Sequence, residues 1–213
     1  MPAGSAIPAQ VKASEGFARL RPMLASPSAM PSQMRQFGFE PRWSGVRTLV
    51  FYDGEMVRLA DGTGRDISAA FPELIDLRRV LRRKPAILDG IITSQSIATG
   101  SDEDSLQRRL RVRRPNLAVL EETPIVFTAF DLLLVGGRWI MHWPFQERHA
   151  RLQRLGLSGI FWRTSRRIRP GPGRDGEAFI AKRLDSVYQP GRQSADWLEI
   201  KPGGVKENSA IDA

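Results

Sequence analysis

The sequence contains no cysteine and only two histidines, His142 and His149. The lack of cysteine excludes a disulfide framework, a thiolate nucleophile and a Cys-rich zinc site. Two histidines in the whole chain also give no support to a His-based metal cluster.

Long hydrophobic runs are absent as well. No apolar segment approaches the roughly 18 to 20 residues that cross a bilayer, and the opening MPAGSAIPAQ has neither the basic nor the apolar region of a secretion signal. We therefore expect a cytoplasmic protein with no membrane partner. The chain has 213 residues, 41% of them hydrophobic, which is enough to bury the core of one domain.

Lysine is scarce, yet the chain is strongly basic. It carries 32 Lys+Arg against 23 Asp+Glu, a formal net charge of +9. Arginine supplies nearly all of the excess, since the lysines are only Lys12, Lys84, Lys182, Lys201 and Lys206. Arginine binds phosphate oxygens in a bidentate manner, so this composition favours a nucleic-acid partner. An arginine-rich proteome would produce the same composition, which leaves that explanation open.

The order of apolar and turn-forming segments predicts an α+β fold. Strands are predicted at residues 46–52, 55–60, 86–93, 125–135, 160–163, 178–182 and 197–201, and helices at 68–84, 101–114 and 144–155. The dipeptide Asp53-Gly54 predicts a tight hairpin turn between the first two strands. Strands outnumber helices and alternate irregularly with them, which favours mostly antiparallel sheets.

Five segments, in this order, resemble the motifs of ATP-dependent DNA ligases, especially the ligase domain of bacterial end-joining enzymes. They are FEPRWSGVR, GRDISAAFPEL, ILDGII, FTAFDLLLVGGR, and EAFIAKR followed by DWLEIKP. The resemblance implies an adenylation domain over residues 21–202, with an ATP-grasp-like nucleotidyltransferase fold of largely antiparallel sheets flanked by helices. Residues 1–20 are then expected to be a flexible extension and residues 203–213 a flexible tail.

The first of these motifs departs from the family at its reactive position. The family has Lys-x-Asp-Gly-x-Arg, whose lysine attacks the α-phosphate of ATP and holds AMP covalently, whereas this chain has Arg42-Trp43-Ser44-Gly45-Val46-Arg47. A guanidinium stays protonated and cannot act as the free amine that the attack requires. Arg42 therefore occupies the catalytic position without being a competent nucleophile, although it could still pair with phosphate.

Other polar positions of the family have changed too. Its Asp-Gly-Glu motif is Asp89-Gly90-Ile91 here, and isoleucine can neither accept a hydrogen bond from a ribose hydroxyl nor hold a cation. Ile91 is better explained as a core residue of a buried strand. The Arg-Asn-Gly turn aligns with Gly62-Thr63-Gly64, and the final Lys-x-Lys has become Glu199-Ile200-Lys201.

Several positions still match. The resemblance assigns nucleotide contacts to Glu40, Arg47, Phe130, Glu177, Lys182 and Lys201, and Glu177 is also its only candidate metal ligand. Phe130 would stack on the purine, but an aromatic residue in an apolar strand is more often only a core residue. Arg47, Lys182 and Lys201 could form an anion site, but a solvated basic face explains any one of them equally well. ATP is therefore expected to bind weakly or not at all, and a role for Mg²⁺ is doubtful.

The segment at residues 166–176 replaces a helix that the family has before its Glu-Gly motif. Its prolines and glycines exclude regular structure, and we predict that its arginines, Arg166, Arg167, Arg169 and Arg174, contact DNA. The alternative is that they only keep a shortened loop soluble. The chain stops after the last strand motif, so no C-terminal OB-fold domain is expected.

Three functions are compatible with this sequence. The first is a module linked to DNA repair and recombination that binds DNA without adenylating itself. The second is an active, divergent ligase or nucleotidyltransferase that uses another lysine or an OB domain supplied by a partner. The third is an interaction scaffold among end-joining or repair proteins. The losses at Arg42, Ser44, Gly62, Ile91 and Glu199 favour the first.

Overall fold

The structure is a computed structural model that describes residues 17, 19–95, 102–169 and 178–201. Two β-sheets dominate this part of the chain. Helices pack on one face of the larger sheet, and the smaller sheet packs on its other face. None of the helices in the described segments has the length and apolar character that a membrane crossing requires.

The larger sheet has six strands, which are β3 (Val46–Tyr52), β4 (Val57–Asp61), β5 (Ala86–Ser94), β6 (Ile125–Val135), β7 (Arg138–Trp139) and β8 (Trp162–Thr164). Their order is β4-β3-β5-β6-β7, and β8 pairs with β6 in parallel. The β3–β4 hairpin turns at the predicted dipeptide, where Gly54 has a φ of 110°. The Asp53 carboxylate accepts the backbone N–H groups of Glu55 and Met56 and fixes this turn.

The smaller sheet contains β1 (Leu24–Ser28), β2 (Phe37–Pro41), β9 (Phe179–Arg183) and β10 (Gln193–Ile200), in the order β1-β10-β9-β2. The pairing of β1 with β10 is parallel, and the other two pairings are antiparallel. The sequence did not predict β1 and β2. It did predict an α+β fold with largely antiparallel sheets, and that prediction is confirmed.

The α-helices in the described segments are α1 (Leu77–Leu81), α2 (Asp102–Leu110), α3 (Leu117–Glu122) and α4 (Phe145–Gln153). Short 3-10 helices lie at Met34–Gln36, Ser68–Ala70 and Pro72–Asp76. α4 confirms the helix predicted at residues 144–155, whereas α2 ends before the predicted residue 114. The sequence analysis missed α3. Asn116 caps its N-terminus, because its side chain accepts the N–H of Val119.

The prediction of one helix over residues 68–84 is wrong. The predicted apolar face is confirmed, because all four of its residues are buried, namely Phe71, Leu74, Leu77 and Leu81. The backbone is divided, however, since Phe71 has φ −131° and ψ 62°. Pro72 follows it, and a proline disfavours helical geometry in the preceding residue.

Strand β6 is buried on both faces, which explains its continuous apolar sequence. Phe127 and Leu132 belong to the core on the helical side, and Phe130 and Leu133 to the core shared with the smaller sheet. A strand covered on both sides has no solvent face that would favour polar residues. The predicted bounds of 125–135 are confirmed.

The N-terminal boundary of the core includes part of the stretch predicted as an extension. Phe17 is buried and packs edge-to-face on Phe51, with ring centroids 5.1 Å apart. Leu20 is buried beside them. Residues 1–16 and the tail at 203–213 lie outside the described residues.

A buried ion pair joins α4 to β6. Arg148 donates two hydrogen bonds of 2.8 Å to the Asp131 carboxylate, and both side chains are fully buried. Arg148 also donates to the carbonyls of Trp143 and Ser186. The guanidinium therefore holds the helix, the strand and the segment after β9 together.

Replacing this arginine should destabilise the fold. Arg148→Ala leaves the Asp131 carboxylate buried without a counter-charge, and we expect a loss of about 3–5 kcal/mol in the free energy of unfolding. The matched control is Arg79→Ala, at a side chain that is 74% exposed, which should change stability by no more than about 0.5 kcal/mol. Urea denaturation measures both. Equal midpoints for the two variants would show that the buried pair does not hold α4 in place.

Candidate functional site

A cavity of about 360 Å³ opens between the two sheets. Strands of both sheets contribute to its wall, and the side chains that surround it are a mixture of aromatic, aliphatic and charged groups. The lining residues are Leu24, Ala25, Glu40, Pro41, Arg42, Trp43, Arg47, Ile91, Phe130, Ile180, Lys182, Gln193, Trp197 and Glu199.

The cavity brings together four of the six residues predicted to contact a nucleotide, with Arg42 of the predicted catalytic position beside them. The four are Glu40, Arg47, Phe130 and Lys182. Lys201 follows the end of β10, is exposed and does not line the cavity. Glu177, the predicted metal ligand, lies outside the described residues. In the segments that the structure describes, no group of three or more His, Asp or Glu side chains is arranged to hold a metal ion.

Arg42, which the resemblance places at the position of the nucleophile, is paired with Glu199. Its Nε lies 2.5 Å from Glu199 Oε1, with the two side chains 44% and 27% exposed. Arg42 follows β2 and Glu199 belongs to β10, so the pair spans the intervening strand β9. The two residues that depart from the motifs of the resemblance, Arg42 and Glu199, are therefore in direct contact.

Lys182 lies on β9 at the buried end of the cavity. Its ammonium donates to Glu40 Oε2 at 2.9 Å and to the carbonyl of Phe130 at 3.3 Å. The Nζ atom also lies 4.2 Å from the ring centroid of Phe130 and 4.3 Å from that of Trp197. Aromatic faces attract cations, so the ammonium is enclosed by a carboxylate and aromatic rings.

Burial also shifts the proton affinity of the groups around Lys182. Desolvation raises the pKa of Glu40 above its ordinary value, although the positive charge of Lys182 works in the opposite direction. Burial, together with the positive charges of Lys182 and Arg167, lowers the pKa of His149 to about 4. His149 Nε2 lies 3.6 Å from Glu40 Oε1, so at neutral pH an uncharged imidazole faces this carboxylate.

Arg47 is held at the opposite wall. It donates from Nε and Nη2 to the two Asp89 oxygens, each at 2.7 Å, and from Nη2 to the carbonyl of Met23 at 2.9 Å. The Tyr188 hydroxyl donates to the same carboxylate. Burial acts to lower the pKa of Arg47, but Asp89 outweighs it and holds the pKa above its ordinary range.

The sequence analysis did not single out the tryptophans of this site. Trp43 and Trp197 both line the cavity, and Trp197 packs edge-to-face on Phe130 with ring centroids 6.3 Å apart. Their positions inside the motif segments FEPRWSGVR and DWLEIKP were the available signal. Ile91 lines the same wall and is buried in the core, in agreement with its interpretation as a core residue.

The charges around the cavity balance in pairs. Arg42 faces Glu199, Arg47 faces Asp89, and Lys182 faces Glu40. Each cation among the lining residues therefore already has a carboxylate of the chain as its partner. An incoming anion would meet no excess of positive charge here.

The loop arginines do not line the cavity, although the charge of Arg167 acts on Glu40 and His149. Arg166, Arg167 and Arg169 are exposed, and none of the three has an acidic partner within 4.0 Å among the described residues. Ile168, between them, donates its N–H to the carbonyl of Phe39 at 2.8 Å and so fastens the loop to β2. Arg174 lies outside the described residues.

His149 should make the stability of the domain depend on pH. Its pKa falls from an ordinary 6.5 to about 4 in the fold, so protons bind preferentially to the unfolded chain between these values. Stability should fall by up to about 3 kcal/mol as the pH is lowered through this window. His149→Gln should remove that loss. Urea denaturation at several pH values measures the difference between the two proteins.

The raised pKa of Glu40 has the opposite effect on stability, because the folded chain then binds a proton more readily than the unfolded chain as the pH falls. Glu40 is present in both proteins, however, so its contribution largely cancels when their stabilities are compared. The control His142→Gln removes an exposed histidine and should preserve the pH dependence of the wild type. If His149→Gln and wild type lost stability in parallel below pH 6.5, the buried imidazole would not be the cause.

Comparisons with known proteins all identify the same family. The model of the ATP-dependent DNA ligase domain matches residues 22–167. The multifunctional non-homologous end joining DNA repair protein LigD of Mycobacterium tuberculosis is 33% identical over 204 residues, covering 90% of this chain and 25% of that protein. DNA ligase C1 of Mycolicibacterium smegmatis is 34% identical over 192 residues, covering 82% of this chain and 54% of that protein. The chain thus spans a quarter of the first relative and about half of the second.

Solved structures give the same result. The ligase domain of M. tuberculosis LigD superimposes with a TM-score of 0.69 at 32% identity, covering 87% of this chain and 61% of that one. A mycobacterial DNA ligase D complexed with ATP and MES gives a TM-score of 0.68 at 31% identity, with the same coverage. The family match covers more than half of the sequence and the fold is shared, so the chain belongs to the ATP-dependent DNA ligase family, as an adenylation domain of the bacterial end-joining type.

Proposed function

We propose that this chain is a ligase-like domain that binds DNA without forming a covalent adenylate, and that it binds ATP weakly or not at all. The observation that carries the proposal is Arg42, which stands at the position of the nucleophilic lysine. Its ion pair with Glu199 holds the side chain within the cavity.

The chemistry of the attack excludes Arg42. A nucleophile must offer an unprotonated lone pair to phosphorus, and an arginine side chain stays protonated under all working conditions. Glu199 adds a second obstacle, because its carboxylate places a negative charge where the resemblance puts a phosphate-contacting lysine. Phosphate oxygens approaching Arg42 would be repelled by this neighbour.

Lys182 is the alternative nucleophile that the site offers. A divergent but active ligase would need its amine to be free and to face the α-phosphate. The ammonium instead pairs with Glu40 and the carbonyl of Phe130, and its side chain is almost completely buried. An active enzyme of this kind would have to break that pair, or to receive the missing groups from a partner that supplies an OB domain.

The cavity suits a purine base better than a triphosphate. Phe130, Trp197 and Ile91 provide aromatic and aliphatic walls on which a flat base could stack. The cations that would hold phosphates are each paired with a carboxylate. ATP is therefore expected to bind weakly and with little dependence on Mg²⁺, with Glu177 as the one candidate metal ligand.

DNA binding rests on the loop at residues 166–174. Its exposed Arg166, Arg167 and Arg169 have no acidic partner within 4.0 Å among the described residues, so their guanidinium groups are available to phosphate. The net charge of +9 acts in the same direction. Contacts to phosphates alone carry no sequence information, so binding should show little sequence preference.

The relatives suggest a setting for this activity. LigD of M. tuberculosis is described as a multifunctional non-homologous end joining DNA repair protein. A domain that holds DNA without adenylating itself could recruit or position other end-joining proteins in DNA repair and recombination. A scaffold that binds neither ATP nor DNA is the third function, and titration with DNA would reveal it.

No covalent AMP adduct should form. After incubation with α-labelled ATP and Mg²⁺ or Mn²⁺, denaturing electrophoresis should show no acid-labile label on the wild-type chain, because Arg42 cannot attack. The single restoration Arg42→Lys should also remain unlabelled, since Ile91, Ser44 and Glu199 still leave the ribose, the metal and the phosphates poorly held.

The same incubation separates the alternative enzyme from the proposed module. A stoichiometric adduct that disappears in Lys182→Arg would establish the divergent ligase and overturn the proposal. Robust labelling of Arg42→Lys alone would show that Ile91, Ser44 and Glu199 do not prevent adenylation. Calorimetry provides a second readout, in which a tight isotherm that depends strongly on Mg²⁺ would contradict weak ATP binding.

Duplex DNA should bind through its phosphates, with the loop contributing. Alanine at Arg166, Arg167, Arg169 and Arg174 together should weaken binding to all sequences alike. The slope of log K against log salt should also become shallower by about 0.9 for each phosphate that these arginines neutralise in the wild type. Fluorescence anisotropy at several salt concentrations measures both effects.

The matched control removes the same charge from other exposed arginines, namely Arg111, Arg113, Arg114 and Arg151. This control should retain most of the wild-type slope. If the two quadruple variants gave the same slope, binding would reflect net charge and the loop would have no special role. If neither variant nor the wild type bound DNA, the scaffold would be the remaining function.

A further inference from the structure

A second groove, with a cavity volume of about 620 Å³, lies beside the candidate pocket. Gln153, at the C-terminal end of α4, lines one side of the groove. Strand β8 and the residues that follow it line the other side. Pro41 and Trp43 line both the pocket and the groove. The two openings are therefore neighbours on either side of the segment that follows β2.

The groove differs from the pocket in its charge. Arg163 and Arg166 line it, and no carboxylate does. Neither arginine has an acidic partner within 4.0 Å among the described residues. The cations of the pocket are neutralised pair by pair, so an anion at this surface is attracted to the groove and not to the pocket.

One buried hydroxyl in the groove has no partner. Ser165 is 1% exposed, and its Oγ makes no hydrogen bond within the described part of the chain. Its backbone is fixed, because its N–H donates to the carbonyl of Ala129 at 2.7 Å and its carbonyl accepts from Gln153 Nε2 at 2.9 Å. A buried polar group without a partner is rare in folded proteins, and rotation of this side chain toward the groove would let a ligand oxygen supply the missing acceptor.

The walls of the groove suit the rest of a nucleotide. The Arg163 guanidinium lies 4.8 Å from the centre of the Trp43 ring, and its Nε donates to the Thr128 hydroxyl at 3.1 Å. Its remaining N–H groups stay available to a phosphate. Leu157 and Ile168 add apolar surface. Cationic groups combined with aromatic and apolar surface are typical of sites for single-stranded nucleic acid.

We infer that this groove binds one unpaired nucleotide of a DNA strand, with the phosphate on Arg163, Arg166 and the Ser165 hydroxyl and the sugar and base along Trp43. Its volume lies within the range of about 300–1,000 Å³ that small ligands occupy, which fits a single nucleotide and excludes a duplex. The inference rests on the proposed DNA binding for the source of the strand. It adds that a duplex with an unpaired overhang binds better than a blunt one.

The test compares two labelled duplexes of the same sequence, one blunt and one with a short overhang, by fluorescence anisotropy. The wild type should prefer the overhang by about tenfold or more, the size expected for hydrogen bonds to charged groups. Arg163→Gln should remove most of this preference, and Ser165→Ala should reduce it about threefold or more, because it removes one hydrogen bond to the phosphate. Neither change should alter the affinity for the blunt duplex by a comparable factor.

Ser165→Ala breaks no hydrogen bond that the described residues make, so it tests the site without endangering the structure. The matched controls are Arg113→Gln and Ser28→Ala, at exposed positions outside the groove. Both should keep the wild-type preference. Equal affinity of the wild type for the two duplexes, or a preference that survives Arg163→Gln and Ser165→Ala unchanged, would overturn the inference.

Two further arms use an unlabelled thymidine oligonucleotide and thymidine monophosphate as competitors of the overhang duplex. The oligonucleotide should compete and the mononucleotide should compete far less well. Equal competition at equal phosphate concentration would overturn the assignment to a strand. If the blunt duplex did not bind but the oligonucleotide bound with the same dependence on Ser165, the proposed duplex binding would fail and the groove would stand.

Discussion

Hydrogen bonds from buried charged and polar side chains across the space between the two sheets are the constraint on which this structure depends. Lys182, on the smaller sheet, donates to the carbonyl of Phe130 on the larger one. Arg47, on the larger sheet, donates to the carbonyl of Met23, next to the smaller one. The Tyr188 hydroxyl reaches Asp89. Unpaired charges in such an apolar layer would be costly, so these contacts fix how the sheets face each other.

The same charges surround the cavity, and this limits what the cavity can bind. If a cation that neutralises a buried carboxylate moved to hold a phosphate, the carboxylate would be left buried without a counter-charge, which is energetically costly. Arg42 and Glu199 extend the pattern to the rim of the cavity, where they contact each other. The chain thus has the fold of a ligase adenylation domain, and each cation that lines its pocket is paired with a carboxylate of the chain itself. The free positive charge lies outside, at Arg163 and on the loop at residues 166–169.

Much of the fold was predictable because apolar patterns in long elements are local signals. The bounds of β3, β6 and the hairpin at Asp53-Gly54 followed from the sequence, since each depends on neighbours along the chain. β1 was not predictable in this way. Its partner β10 lies far away in the sequence, and its own residues, LASPS, have weak strand propensity. Pro72 was a signal that residues 68–84 are divided, but the prediction of a single helix rested on the regular spacing of the apolar residues.

The sequence by itself determined the family and the antiparallel α+β architecture, because these depend on residue identity and order. It also has Arg42 where the resemblance expects the reactive lysine. Only the tertiary structure decided which charges meet. The contact of Arg42 with Glu199 and the enclosure of Lys182 by Glu40 and aromatic rings join residues from distant strands. The burial of the Ser165 hydroxyl, which has no partner in the described part of the chain, likewise depends on packing between separate elements. Side-chain pairing depends on distances of a few ångströms between separate elements, and no local pattern in the chain encodes such distances.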